Sequence, residues 1–256
     1  MTIRSGALSH NTSTANSGQL NPIDKPAGLV DGDALIAFIV VPTLAGTNSV
    51  VTGPGGWTVL DHFHAPGSGA IGVSVAVLTK PIPSVSAEVA TNYSFTATNI
   101  AAARPIGIIQ ALSGRDLTAL GSGPKASLAR STSTTATPTG SISPTGDDWD
   151  VLYMGATRSN NTFTGTDTEL DDYNPAANTS AALYGLSAQP AGTYSKTVTA
   201  STASGTGLGL IVAIPKYVAP AVVSPIKRIV GGVPVEVDMY RITGGVPVKL
   251  VPVSFD

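Results

Sequence analysis

Apolar residues in this chain come in short runs broken by Gly, Pro, Ser and Asn, and no window of ten or more residues carries a clean helical period. Over Ile71 to Leu78 the bulky residues fall at 71, 73, 75 and 77, while Gly72, Ser74 and Ala76 share the other face. That alternation predicts a strand with one face on a core. Ala34 to Val41 and Leu208 to Ile214 are nearly continuous apolar runs, as expected for central strands covered on both faces. Further strands are predicted at Trp57 to His62, Tyr93 to Thr98, Ile106 to Leu112, Trp149 to Met154, Ala182 to Ala188 and Tyr194 to Thr199. Turn chemistry separates them, at Gly53-Pro54-Gly55-Gly56, Pro66-Gly67, Pro81-Ile82-Pro83, Ser122-Gly123-Pro124 and Pro190-Ala191-Gly192. The one helix-like stretch, Asn99 to Arg104, is stopped by Pro105 and reads as a loop or short turn. The pattern predicts an all-β fold, an antiparallel, jelly-roll-like β-sandwich over residues 1–216.

Beyond Ile214 the texture changes. Pro215, Pro220 and Pro225 punctuate a semi-rigid linker, placed at 217–224, and a repetitive arm follows at 225–256. Arg228-Ile-Val-Gly-Gly-Val-Pro-Val-Glu-Val237 returns as Arg241-Ile-Thr-Gly-Gly-Val-Pro-Val-Lys-Leu250. Each Gly-Gly can supply the positive φ values of a two-residue hairpin turn, predicting a three-stranded meander. Its apolar row, Val233, Val235, Val237 and Met239 with Val246, Val248 and Leu250, needs a lid. Pro234, Pro247 and Pro252 each remove a ladder donor. So small an element buries too little surface to stand alone, so a partner or a second copy is expected to complete it.

Composition narrows the function classes. Charged residues make up 12% of the chain, against roughly 25% in an ordinary soluble domain, so Ser, Thr and Asn solvate the surface, as in Ser131 to Thr139, read as exposed loop. A net charge of -2 with scattered Lys and Arg gives no basic footprint, and no nucleic-acid partner is expected. There is no Cys, hence no disulfide framework and no thiolate metal site. Met1 to His10 lacks an apolar signal core, and the longest apolar run is far short of the ~20 residues that cross a bilayer as a helix. Synthesis in the cytosol without membrane insertion is therefore expected.

Candidate chemistry is sparse. His62 and His64 form an H-x-H beside Asp61, two metal ligands without a third. Asp147, Asp148 and Asp150 begin a strand after a turn, and Asp167, Glu169, Asp171 and Asp172 lie in a loop-like stretch without the spacing of a calcium loop. No nucleophile elbow, phosphate loop or zinc-protease motif occurs, and neither cofactor, metal nor catalysis is expected. Among aromatics, Trp57, Tyr153 and Tyr184 fall in predicted strands. Tyr173, beside Asp171, Asp172 and Asn174, is the expected exposed platform for a ligand such as a sugar.

Three segments, Pro26-Ala-Gly-Leu-Val-Asp-Gly-Asp-Ala-Leu-Ile-Ala-Phe38, Gly55-Gly-Trp57-Thr-Val-Leu60 and Ala111-Leu-Ser-Gly-Arg-Asp116, resemble a β-sandwich module of tailed-bacteriophage structural proteins. The Val-Pro-Val repeats are similar to C-terminal segments of minor tail proteins from phages of actinobacteria. This resemblance implies a virion protein assembled in the host cytoplasm, at the tail or tail tip and contributing to host attachment. It would bind other virion proteins, form a homo-oligomer with a trimer favoured, and present its sandwich to a host-surface glycan. A head decoration protein and a carbohydrate-binding module are the alternatives.

Overall fold

The computed structural model describes residues 3–12, 20–44, 47–65, 71–101, 104–115, 117, 124–130, 134–175, 178–204, 206–216, 227–230, 233–236, 239–243 and 246–250. The described residues are strand, turn and connecting loop, with no helix among them; the fold is all-β. The chain divides into a unit over Met1–Tyr217 and a second over Val218–Asp256.

The first half of the large unit contains β1 (Ile3–Thr12), β2 (Ile23–Asp24), β3 (Asp33–Leu44), β4 (Val51–Thr52), β5 (Thr58–Ala65), β6 (Ile71–Ile82), β7 (Asn92–Tyr93), β8 (Thr96–Ala97) and β9 (Ile106–Ser113). Five of these form an antiparallel sheet in the order β1-β9-β3-β6-β5, and the short pairs β2-β7 and β4-β8 lie apart from it. The second half contains β10 (Lys125–Arg130), β11 (Thr134–Pro138), β12 (Trp149–Thr157), β13 (Phe163–Thr164), β14 (Thr168–Tyr173), β15 (Ser180–Gln189), β16 (Thr197–Ser204) and β17 (Gly207–Pro215). Its five-stranded sheet has the order β10-β17-β12-β15-β14, and β11-β16-β13 form a separate three-stranded sheet.

The two orders are the same order. In each half the first long strand pairs with the fifth, the fifth with the second, the second with the fourth and the fourth with the third. Register agrees as well: Phe38 sits between Val77 and Ile108, and Met154 sits between Leu183 and Leu210. Aligned this way, Thr58-Val-Leu-Asp-His-Phe63 falls on Thr168-Glu-Leu-Asp-Asp-Tyr173, with Thr, Leu and Asp in common and a bulge before the Asp in both. Ile106-Gly-Ile-Ile-Gln-Ala-Leu112 falls on Leu208-Gly-Leu-Ile-Val-Ala-Ile214, with Gly, Ile and Ala in common. The large unit is thus two modules of one design.

Both central sheets are apolar on both faces, and three buried layers result. Phe38, Val75 and Ile108 of one sheet pack with Leu152, Met154 and Leu210 of the other to form the middle layer. The outer face of the first sheet, with Leu35, Ile39 and Ile109, is covered by Leu20, Ile23, Tyr93 and Phe95. The outer face of the second, with Tyr153, Tyr184 and Ile211, is covered by Phe163, Val198 and Ala200 of β13 and β16. Equivalent carboxylates close the lateral seams, Asp61 with Lys125 at 2.9 Å and Asp171 with His10 at 2.9 Å.

Several expectations change. A jelly roll alternates its strands between two sheets, whereas each sheet here draws on one contiguous half of the chain. Residues 134–138, read as exposed loop, form β11, and Thr137 is fully buried there against the second sheet. The expected strand Tyr93 to Thr98 splits into β7 and β8. In the small unit β18 (Lys227–Val230) pairs with β19 (Val233–Glu236) and β20 (Met239–Thr243) with β21 (Val246–Leu250), giving two hairpins instead of one three-stranded meander. Each thirteen-residue repeat carries its own Gly-Gly, so each closes on itself and the shared middle strand is not needed. Val237 and the linker 217–224 lie outside the described residues.

Gly107 and Gly209 occupy equivalent places where a cover presses onto the sheet. A Cβ at Gly209 would collide with the backbone carbonyl of Pro138, whereas one at Gly107 would meet only the methyl ends of Ile23, Ile39 and Leu20. Gly209→Ala is expected to cost at least ~1–3 kcal/mol, and Gly107→Ala less, because side chains yield where backbone does not. Urea denaturation of both variants checks this, and an equal or reversed order would contradict the packing.

Candidate functional site

The acidic stretch expected to be a loop is Asp167 followed by β14, an edge strand, and its carboxylates point to separate partners. Asp167 accepts a hydrogen bond from the Tyr153 hydroxyl at 2.8 Å and pairs with Lys196 at 2.7 Å. Glu169 accepts from the Tyr184 hydroxyl at 3.1 Å, and Asp172 accepts the Phe163 amide at 2.9 Å. Asp171 binds His10, and Tyr173 stacks on the same imidazole with ring centroids 3.9 Å apart. Tyr173 is therefore half-buried and packed against the middle layer, where the sequence suggested an open platform; the seam between modules needs it there. Asn174 follows it at the exposed end of the strand. Burial pushes the Asp172 carboxyl up, and its Oδ1 has no partner.

The H-x-H histidines share one strand face but serve different neighbours. His62 Nε2 accepts the Val51 amide at 3.2 Å, and His64 Nδ1 meets Ser74 Oγ at 2.9 Å. Among the described residues no three of His, Asp and Glu are grouped to hold a metal ion. Trp57 lies edge-on to Tyr93 and Phe95, with centroids 5.2 Å away in each case, and Tyr153 stacks on Tyr184 at 5.2 Å. These aromatics are packing groups of the outer layers.

A feature that sequence reading missed lies where the two C-terminal strand ends meet. Arg115, just past β9, is buried and grips Asp150 of β12 with two bonds of 2.5 and 2.7 Å. Its guanidinium also donates to the Asp148 carbonyl at 2.6 Å. Burial pushes the Asp150 carboxyl up, against the pull of that guanidinium, while the half-buried Asp148 is held low by Lys216 at 2.9 Å. Beside this clasp opens a groove of about 750 Å³ with Val59, Leu60, Pro81, Ile82 and Leu117 in its walls. The adjoining Asp33 is occupied by the Val30 amide at 2.8 Å and the Ser113 hydroxyl at 2.5 Å. What the groove offers is apolar surface, suited to an aliphatic group and not to acid–base chemistry. In the second module the equivalent place, at Leu170 and Gly185, is filled by the side chain of Ile3. Only the Asp148 turn was visible in sequence; the Arg115 partnership joins positions 35 residues apart in different sheets.

The chain matches no protein-family model, no curated protein and no solved structure.

Removing Arg115 leaves Asp150 charged and buried, and Arg115→Met should cost ~3–5 kcal/mol, most of it regained in Arg115→Met with Asp150→Leu. Chemical denaturation of the single and double variants measures both. The tyrosines give a pH test. Burial and the hydrogen bond to Asp167 push Tyr153 up to about 12, and Tyr93 and Tyr184 are raised further, chiefly by burial. Phenols held protonated in the fold contribute stability that is complete below pH ~10 and is lost as pH climbs through their folded values. Phenolate absorbance from these three should therefore appear together with loss of the β circular-dichroism signal. Full ionisation near pH ~10 in a folded chain would contradict their burial.

Proposed function

We propose that this protein is a non-enzymatic structural component of a tailed-phage particle, a minor tail or tail-tip protein that contributes to host attachment. One observation carries the reading: a sandwich whose carboxylates and histidines are occupied by its own structural bonds is followed by a distinct unit built from two repeats of one hairpin. A body of this kind has shape and packing to offer, not a converging reactive set. Among the described residues the repeats form separate two-stranded sheets, whose outer edges are of the sort that pair with another chain. The low charge of the chain suits close packing among neighbours in an assembly. The Val-Pro-Val repeats favour the tail over the head.

Light scattering of the full chain and of a version ending at Tyr217 tests the assembly claim. The reading expects a trimer for the first and a folded monomer for the second. Incubation with purified tails and with purified capsids tests location. Retention on capsids alone would replace the tail reading with head decoration, and release of reducing sugar from host envelope glycans would overturn the non-enzymatic reading.

A further inference from the structure

Comparing the two modules position by position shows one seat filled and its counterpart open. The register places Leu60, Thr79 and Pro81 of the first module where the second has Leu170, Gly185 and Ser187. In the second module Ile3, 8% exposed, takes the seat. A Cβ on Gly185 would lie 2.5 Å from Ile3 Cδ1, and the Ile3 amide donates to Ser187 Oγ at 3.2 Å. Ile3 reaches that far because β1 runs on past Leu8, which pairs with Gln110. At the equivalent rung Lys125 pairs with Val212, and there β10 begins among the described residues.

In the first module the same place is the groove of about 750 Å³, within the ~300–1,000 Å³ of sites that hold a ligand. Val59, 39% exposed on the edge strand β5, stands in its wall. The polar groups beside it, Asp33 and Arg115, are engaged within the fold.

The filled seat defines what the open one accepts. Ile3 shows that the place suits an aliphatic residue on an extended backbone. Pro81 in the place of Ser187 removes the hydroxyl that takes the incoming amide, so an ordinary residue would bring an N–H without that acceptor. The aliphatic residue that carries no N–H is proline. This chain offers it between valines three times, at Val233-Pro234-Val235, Val246-Pro247-Val248 and Val251-Pro252-Val253. The large unit also ends at the groove, because Lys216 bridges to Arg115 in its wall.

We propose that the groove is the receptor for a Val-Pro-Val segment from the C-terminal arm of a second copy, its proline taking the place that Ile3 holds in the other module. The inference rests on the arm-driven assembly proposed above and names the surface that receives the arm.

The chain has no Cys, so introduced thiols report without background. Full-length Val59→Cys is mixed with full-length Val235→Cys, Val248→Cys or Val253→Cys, mildly oxidised and digested, and linked peptides are identified by mass spectrometry. A disulfide joining position 59 of one copy to an arm position of another is expected. Independently, Val59→Glu places a carboxylate in the apolar wall and should weaken self-association at least ~tenfold by light scattering, with the circular-dichroism spectrum unchanged. Links between arms alone, with Val59→Glu assembling like the wild type, would overturn the groove as receptor and leave arm-driven assembly standing. A full chain that is monomeric at every concentration would overturn both.

Discussion

Both central sheets of this protein are apolar on both faces, and almost everything else in the large unit answers that constraint. A sheet of this kind cannot face water on either side. The inner faces solve the problem mutually, Phe38, Val75 and Ile108 against Leu152, Met154 and Leu210. The outer faces cannot, so the connections between long strands are recruited as covers. In the first module Leu20, Ile23, Tyr93 and Phe95 come from such connections, and in the second Phe163 and Val198 do. The covers press so closely that Gly107 and Gly209 have no room for a side chain.

Polar chemistry in this fold is fitted around the apolar layers. Arg115 and Asp150 clasp the two sheets at one end, and the Asp61 and Asp171 pairs hold the lateral seams. Each of these groups is bound to the other module or to its own cover, which leaves the surface to neutral Ser, Thr and Asn. A surface of this kind can be packed against neighbours without desolvating many charges, which is in keeping with the proposed assembly role. The modules also diverge where function has room to enter: the groove filled by Ile3 in one is open in the other.

Strands buried on both faces were the legible part of the sequence. Ala34 to Val41, Ile106 to Leu112 and Leu208 to Ile214 announce themselves as apolar runs, and the structure lengthens the first into Asp33–Leu44. Of the edge strands of the two five-stranded sheets only β5 was legible, as Trp57 to His62. Ile3–Thr12 mixes Arg, Ser, His and Asn, and Thr168–Tyr173 is largely acidic, since an edge strand needs apolar groups only where it touches the core. The module repeat was hidden for a related reason. Its shared residues are few, in Thr-x-Leu-Asp and in Gly-x-Ile-x-Ala, and become visible only when the ladder register aligns them, because loops of different length separate the matching strands. The seam role of Tyr173, Asp171 and His10 depends on contacts across more than 160 residues, which no local pattern carries.

The central claim is that two modules of one design share a single buried layer and so stand or fall together. Native-state hydrogen exchange resolved by residue tests it directly. The amides of β3 and β9 and those of β12 and β17 are predicted to exchange only through one common opening, with the same free energy and the same denaturant dependence. If either module's central strands opened at a lower free energy while the other's stayed protected, the modules would be independent domains, and the shared layer would not be the interaction that holds this fold.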